Sequence, residues 1–135
     1  ENPLNRGRAI TLTLDQFRYG WANALDEDEA KELYETFHVP APAKPIFQAA
    51  AANLNFWTEC KVDAGSPERG PLLILWGEKD HTVPGAICKA AYKKQRHNDG
   101  VTEIEEMSDR GHSITIDRGW REVCDRALAF AGRVS

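Results

Sequence analysis

The apolar segment at residues 72–76, with the sequence LLILW, limits the folds open to this chain more than any other feature. Its residues are apolar without interruption, a pattern typical of a strand that is buried on both faces of a parallel sheet. Because parallel strands must be joined by crossover connections, usually helices, the segment predicts a further strand and covering helices. A run this short cannot cross a lipid bilayer, so it does not predict a membrane span.

The residues after this segment predict alternating helices and strands. Pro84 fits the first turn of a helix that reaches about His97. The apolar residues of that helix recur at helical spacing and are predicted to face the sheet: Ile87, Ala90 and Ala91.

A second strand is predicted over residues 101–107, where apolar and polar residues alternate only in part. That pattern is typical of a strand near a sheet edge, and Glu103 and Glu105 would face outward and protect the edge. A last helix is predicted over residues 120–131. Strand, helix, strand and helix together predict a βαβα unit of the α/β class, with parallel strands and a right-handed crossover, over residues 71–135.

Residues 1–60 predict helices that are separated by proline-containing turns. Residues 13–24 predict a short helix or an irregular aromatic segment, and Asp26 then offers an N-cap before an acidic first turn. Apolar residues follow at i, i+3, i+4 and i+7 and predict an amphipathic helix: Ala30, Leu33, Tyr34 and Phe37. The prolines at 40, 42 and 45 end that helix and open a third over residues 46–57.

The first half contains too many aromatic residues for a polar connection. We predict that Trp21, Tyr34, Phe37 and Trp57 pack against one another or over the mouth of a cleft. Glycine, serine and proline among charges at residues 61–70 predict a linker. The expected organisation is a helical segment at 1–60, a linker at 61–70 and an α/β unit at 71–135.

Charge and composition exclude several classes of protein. The net charge of −4 offers nucleic acids no general attraction. Cys60, Cys88 and Cys124 are odd in number and widely spaced, which is typical of small buried thiols in a reducing compartment. The histidines form no i,i+4 pair and no H-E-x-x-H motif, so we expect neither a metal nor a cofactor. No basic-then-apolar leader follows Glu1, and we expect a cytoplasmic protein.

Two loops, at residues 77–84 and 108–119, follow the two predicted strands. Functional groups gather at the carboxyl ends of strands in open α/β sheets, so we expect Asp80 and His112 to meet in one cleft. A carboxylate that accepts a hydrogen bond from Nδ1–H fixes the tautomer of a histidine and stabilises the imidazolium, which suits the ring to act as a general base. The pattern therefore predicts a hydrogen bond between Asp80 and His112 Nδ1.

The order of these motifs resembles the C-terminal portion of the α/β-hydrolase superfamily: a strand, G-x-x-D-x-x-V-P, a helix, a strand, G-H-S and a last helix. The resemblance implies that Asp80 and His112 are the acid and the base of a catalytic triad, and that residues 1–60 form the cap. It implies hydrolysis of an ester-like small molecule as the default activity, although epoxide and haloalkane hydrolases and cofactor-free haloperoxidases share the superfamily.

The chain lacks G-x-S-x-G, the motif on which the nucleophile of such enzymes lies. Its nearest approach, G-H-S-I-T at residues 111–115, has no second glycine and uses the histidine itself. The resemblance therefore implies that a serine or aspartate nucleophile belongs to a partner. That partner is either the N-terminal half of an α/β-hydrolase or a second copy of the chain.

Other interpretations stay open at this level. Glu78 and Asp109 are alternative acids, and the neighbouring His81 is expected to be exposed. Asp80 could instead cap the following helix, with His112 as an ordinary loop residue. The alternative function is that of a non-catalytic α/β domain that binds a partner through an open sheet edge. Two further loop residues have expected structural roles, Ser113 as a hydrogen-bonding residue and Asp117 at the start of the last helix.

Overall fold

The computed structural model of the chain describes residues 7–52, 57 and 61–135. Within these ranges the chain has an α/β fold with a parallel two-stranded sheet, as the sequence predicts at the level of class. In chain order the elements are β1 (Ala9–Ile10), α1 (Leu14–Gly20), α2 (Glu27–Phe37), β2 (Ala41–Pro42), α3 (Lys44–Ala51), β3 (Leu72–Gly77), α4 (Gly85–Gln95), β4 (Thr102–Met107) and α5 (Trp120–Val134).

Side-chain caps fix the starts of the first two helices. The Thr13 hydroxyl accepts a hydrogen bond from the Gln16 amide, and the Gln16 side chain accepts one from the Thr13 amide, which forms a capping box. Asp26 caps α2 by accepting from the amide of Glu29 at 2.8 Å, as predicted. The first helix is shorter than the predicted segment, because it ends at Gly20.

The sequence does not predict β1 and β2. These strands are antiparallel, with Ala9 opposite Pro42 and Ile10 opposite Ala41. A pair of two-residue strands is too short for any periodicity to be visible in the sequence. The pair joins the start of the described chain to the turn between α2 and α3.

The parallel strands β3 and β4 carry one helix on each face. Their register runs from Leu72 opposite Thr102 to Gly77 opposite Met107. On one face the Trp76 ring packs where a Cβ at Gly85 would fall, 2.2 Å away, so the first residue of α4 must be glycine. On the other face, Leu75 and Met107 form a core cluster with Ile114 of the loop after β4 and Val123 of α5. The predicted burial on both faces is complete only at Trp76, because the four residues before it are partly exposed.

The structure corrects the predicted orientation of α4. Ile87 is exposed, and Ala90 and Ala91 are exposed with it, whereas Cys88 is buried. The contact between Gly85 and Trp76 sets the rotation of the helix, and Cys88 lies one turn further along the same face.

The structure also corrects the predicted role of the β4 carboxylates. Glu103 accepts from Arg133 at 2.5 Å and Glu105 pairs with Arg126 at 3.0 Å. Both arginines belong to α5, so these glutamates lie toward that helix and do not protect a free edge. Their alternation along β4 is real, but the face that they occupy is covered.

A second core cluster joins α1 and α2. It contains Phe17, Ala22, Ala30 and Leu33, and Ile116 from the loop after β4 packs against it. The rings of Phe17 and Tyr34 meet edge to face, with centroids 5.5 Å apart. The predicted burial is wrong for Trp57, which is 88% exposed.

The free cysteines differ in burial. Cys88 is buried and Cys124 is half-buried, while Cys60 and most of residues 53–60 lie outside the described ranges. The predicted third helix is seen as α3, and its later half falls largely in that undescribed part. No helix in the described ranges is long and apolar enough to pass through a bilayer.

Candidate functional site

Asp80 lies in the tight turn after β3, and its carboxylate is fixed by backbone donors. Oδ1 accepts from the amides of Thr82 at 2.7 Å and Val83 at 2.8 Å. The side chain is only 7% exposed. These two bonds engage one carboxylate oxygen and leave Oδ2 for another partner.

That partner is His112, whose Nδ1 lies 2.8 Å from Asp80 Oδ2. The structure therefore brings together the two side chains that the sequence predicts to meet. With a proton on Nδ1, the carboxylate holds the ring in one tautomer and Nε2 carries the free lone pair. The arrangement is chemically suited to accept a proton at Nε2 and to stabilise the positive charge that results.

Close contact between the two loops makes this meeting possible. The amide of Lys79 donates to the carbonyl of Arg110 at 2.8 Å, which extends the pairing of the strands past their ends. At Gly77 an added Cβ would lie 2.3 Å from the carbonyl oxygen of Gly111. Only glycine allows the first loop to leave the strand at this separation.

The end of α1 is bound to both loops through residues 19–23, which we call the bridging segment. Its backbone carbonyls accept hydrogen bonds from loop residues, and one of its side chains donates to a loop carbonyl. The four bonds join His81 Nδ1 to Tyr19 O at 2.9 Å, Thr82 Oγ1 to Gly20 O at 2.6 Å, Ser113 N to Trp21 O at 3.2 Å and Asn23 Nδ2 to Lys79 O at 2.8 Å. His81 is exposed, as expected, and serves this contact.

An apolar cavity of about 480 Å³ lies beside the pair. Trp21 lines the cavity, and its ring also lies against the His112 ring, with centroids 4.4 Å apart. Thr82, two residues after Asp80, lines the cavity from the first loop, and Phe37 and Ile116 contribute to its wall. Two of the four predicted aromatic residues, Trp21 and Phe37, line this space, but Phe37 is 51% exposed, so its predicted burial is incomplete.

The alternative acids are held in other contacts. Glu78 accepts from the amide of Asp109 at 2.9 Å, and Asp109 pairs with Lys79 at 2.7 Å. The hydrogen bond and the opposite charge of Lys79 lower the pKa of Asp109, while the same contact raises the pKa of Lys79. Asp109 also adopts a φ of 60°, a left-handed conformation that shapes the turn before His112.

A buried ion pair, which sequence reasoning missed, supports the second loop. Arg110 pairs with Asp117, whose side chain is 1% exposed. Asp117 Oδ1 also accepts from the amide of Gly119 at 2.9 Å, so this residue does help to start α5, as expected. Ser113 is buried and forms hydrogen bonds in the loop, as expected, but through its backbone: its amide donates to Trp21 and its carbonyl accepts from the amides of Ile116 and Asp117. Its hydroxyl has no partner among the described residues.

A second missed contact ties the same loop to α2. The Glu29 carboxylate is buried and accepts from the amide of Arg118 at 2.6 Å. Residues this far apart in sequence give no local signal, and a buried glutamate is unexpected from composition alone.

Cys88 is poorly suited to act as a nucleophile. Burial raises the pKa of its thiol, and the negative charge of Asp80 raises it further. The thiol is therefore protonated near neutral pH, which is the unreactive form. In the described ranges, no group of three or more His, Cys, Asp or Glu side chains is placed to hold a metal ion.

Comparison with known proteins gives no further information. No protein family, curated protein or solved structure matches this chain.

Proposed function

We propose that this chain supplies the acid, Asp80, and the base, His112, of a nucleophile–histidine–acid triad in an α/β-hydrolase. The observation that carries the proposal is the 2.8 Å hydrogen bond between Asp80 Oδ2 and His112 Nδ1, at the carboxyl ends of adjacent parallel strands. In this proposal residues 1–60 form the cap, residues 61–70 the linker and residues 71–135 the C-terminal part of the catalytic domain.

The proposed reaction is hydrolysis of an ester-like small molecule. With a serine nucleophile, which this chain does not supply, His112 Nε2 takes the hydroxyl proton and Asp80 stabilises the imidazolium that forms. If the nucleophile is a serine, its oxygen forms an ester with the acyl group and the alcohol leaves with the proton from His112. Water then attacks the acyl-enzyme with His112 again as the base, the ester bond to the serine breaks, and the acid leaves while the serine oxygen takes the proton back from His112.

The nucleophile is proposed to come from a partner that pairs with β3. One edge of β3 is occupied by β4, and the described residues supply no strand to the other edge. Such an edge presents a row of N–H and C=O groups that another strand can pair with. Two strands alone form a poor sheet in water, so the sheet needs a partner. We favour the N-terminal half of an α/β-hydrolase over a second copy, because that half would also supply the nucleophile and the oxyanion hole.

The test is a complementation assay. The chain is co-expressed with an N-terminal α/β-hydrolase half that contains G-x-S-x-G, and hydrolysis of p-nitrophenyl acetate is measured. His112→Ala and Asp80→Asn should each lower kcat about 10³-fold or more. His97→Ala and Asp99→Asn are matched controls, because both residues are exposed near the end of α4 and should leave the rate unchanged.

Two outcomes would contradict the proposal. One is full activity of the chain by itself, because no triad nucleophile is present on it. The other is an active complex in which His112→Ala behaves like His97→Ala.

The open edge of β3 also supports the alternative function, a non-catalytic module that binds a partner by strand addition. The two functions differ in their response to the same variant. A complex that forms with the wild-type chain and with His112→Ala, but hydrolyses no ester in either form, favours the binding module.

A further inference from the structure

The wall of the 480 Å³ cavity contains no Asp, Glu, Lys or Arg among its described residues. It is formed mainly by aliphatic and aromatic side chains, including Ile10, Leu12, Phe17 and Val39. Apart from Trp21 with its indole N–H, the polar side chains that reach it are His38 and Thr82, and each has one hydrogen-bond partner. His38 Nε2 accepts from the amide of Leu12 at 3.1 Å, and the Thr82 hydroxyl donates to the carbonyl of Gly20 at 2.6 Å.

His38 offers the cavity no positive charge in this arrangement. A ring nitrogen that accepts from a backbone amide carries no proton, so the imidazole is neutral. Tyr34 stacks on the ring, with centroids 4.5 Å apart and planes 15° from parallel, and its hydroxyl donates to the carbonyl of Leu12 at 2.8 Å. His38 thus forms part of the wall as a neutral ring, with Nδ1–H as its remaining donor.

We propose that this cavity binds uncharged, apolar small molecules and rejects anions of the same shape. The volume lies within the range of small-molecule sites in proteins, about 300–1,000 Å³. A carboxylate that entered would lose its hydration and find no cation in the described wall, and the neutral donors there would offset only part of that free-energy penalty. An apolar group would instead exchange contact with water for contact with aliphatic and aromatic side chains.

We take the ligand of this cavity to be the substrate of the proposed reaction, a step that rests on the proposed function and on the position of the cavity. Trp21 contacts both the cavity and His112. It lines the cavity, and the centroid of its ring lies 4.4 Å from that of the His112 ring. Thr82 also lines the cavity, and its amide donates to the Asp80 carboxylate in the same loop. Although His112 itself does not line the cavity, a bound molecule would contact the Trp21 ring that packs against His112, so the preferred substrate is a neutral ester with an apolar group rather than an acidic one.

Direct binding of a matched pair of probes tests the charge selection without any turnover. Naphthylacetone and naphthylacetate, the anion of naphthylacetic acid, have nearly the same shape. In the ketone a methyl group replaces the charged oxygen of the carboxylate. Isothermal titration of the full chain should show that naphthylacetone binds more tightly by about tenfold or more. Equal affinity, preference for the anion or binding of neither probe would overturn the inference.

A charge placed at the mouth locates the binding site. Val39 lines the cavity and is 69% exposed, so Val39→Lys adds a cation there without disturbing the core. This variant should weaken naphthylacetone and strengthen naphthylacetate, and so reduce the preference by about tenfold. Val62→Lys is the matched control, since Val62 is similarly exposed and lies outside the cavity wall. The same response in both variants would show that the probes bind elsewhere and would overturn the assignment.

The inference and the proposed function can fail separately. Selective binding of naphthylacetone by a complemented assembly that hydrolyses no ester supports the cavity and contradicts the triad. Ester hydrolysis that depends on His112, with no discrimination between the probes, supports the triad and contradicts the cavity.

Discussion

The rings of Trp21 and His112 are nearly perpendicular, with an interplanar angle of 86° and centroids 4.4 Å apart. Trp21 also stacks on Phe17, which anchors it in the core of α1 and α2. The imidazole is therefore held at Nδ1 by Asp80 and against one side by an indole that the N-terminal helices position.

Replacement of Trp21 tests whether this contact positions the His112 ring. Trp21→Ala should shift the His112 ring resonances in NMR spectra, because it removes the ring current and frees the imidazole to rotate. In a complemented assembly, kcat should fall by about tenfold through this misorientation. Trp21→Phe should keep most of the activity. Trp120→Ala is the control, since Trp120 is comparably exposed at the start of α5, and unmoved His112 resonances in Trp21→Ala would contradict the positioning role.

Two glycine substitutions should have opposite effects on stability. Gly77→Ala places a methyl group 2.3 Å from the carbonyl oxygen of Gly111, and the two loops must separate to admit it. The free energy of unfolding should fall by about 2 kcal/mol or more. Gly132→Ala in α5 meets no atom within 4 Å and should raise it by up to about 1 kcal/mol. Urea denaturation measures both, and a neutral Gly77→Ala would show that the loops are not in tight contact.

Loss of one partner of the buried Arg110–Asp117 pair should lower the free energy of unfolding more than loss of both. Arg110→Met leaves a 1%-exposed carboxylate without its cation, and should cost about 3–5 kcal/mol of unfolding free energy. Arg110→Met combined with Asp117→Leu should recover part of that loss, because no buried charge then remains unpaired. Denaturation of the single and double variants completes the cycle. A double variant that is no more stable than Arg110→Met would contradict this account.

The surface pair of Lys79 and Asp109 predicts a pH dependence with a known sign. The pKa of Asp109 is lowered, so its contribution to stability is present above the unfolded pKa near 3.8 and is lost as the pH falls through the folded value. The pKa of Lys79 is raised, so its contribution is present below about 10.5 and is lost as the pH rises further. Lys79→Met should raise the Asp109 pKa in a carbon-detected NMR titration, whereas Lys31→Met should not.

The sequence predicts much of the site because its signals are local. Residues 72–76 are apolar at every position, and Asp80 follows within one turn of the strand end. The helical segment with Asp26 as N-cap is likewise visible from spacing alone, and α2 begins where that residue predicts. Two loops that leave adjacent parallel strands in the same direction must lie close together, which is why the Asp80–His112 contact could be expected.

The features that the sequence does not predict depend on contacts between distant residues. The orientation of α4 follows from one contact between Gly85 and Trp76, and apolar spacing favoured Ile87 instead of Cys88. Glu103 and Glu105 lie toward α5, where they pair with Arg133 and Arg126. Neither contact produces a periodic pattern of apolar residues in the sequence.

The bridging segment has a consequence for how the protein opens. Its hydrogen bonds, together with that of Glu29 to the Arg118 amide, attach α1 and α2 to both loops of the pair. Fraying of α1 would release Gly20 and Trp21 together, and with them the contacts of Thr82 and Ser113. The two loops and the N-terminal helices thus form one cooperative unfolding unit, so that amide exchange at Ser113 and Arg118 should report the same opening free energy.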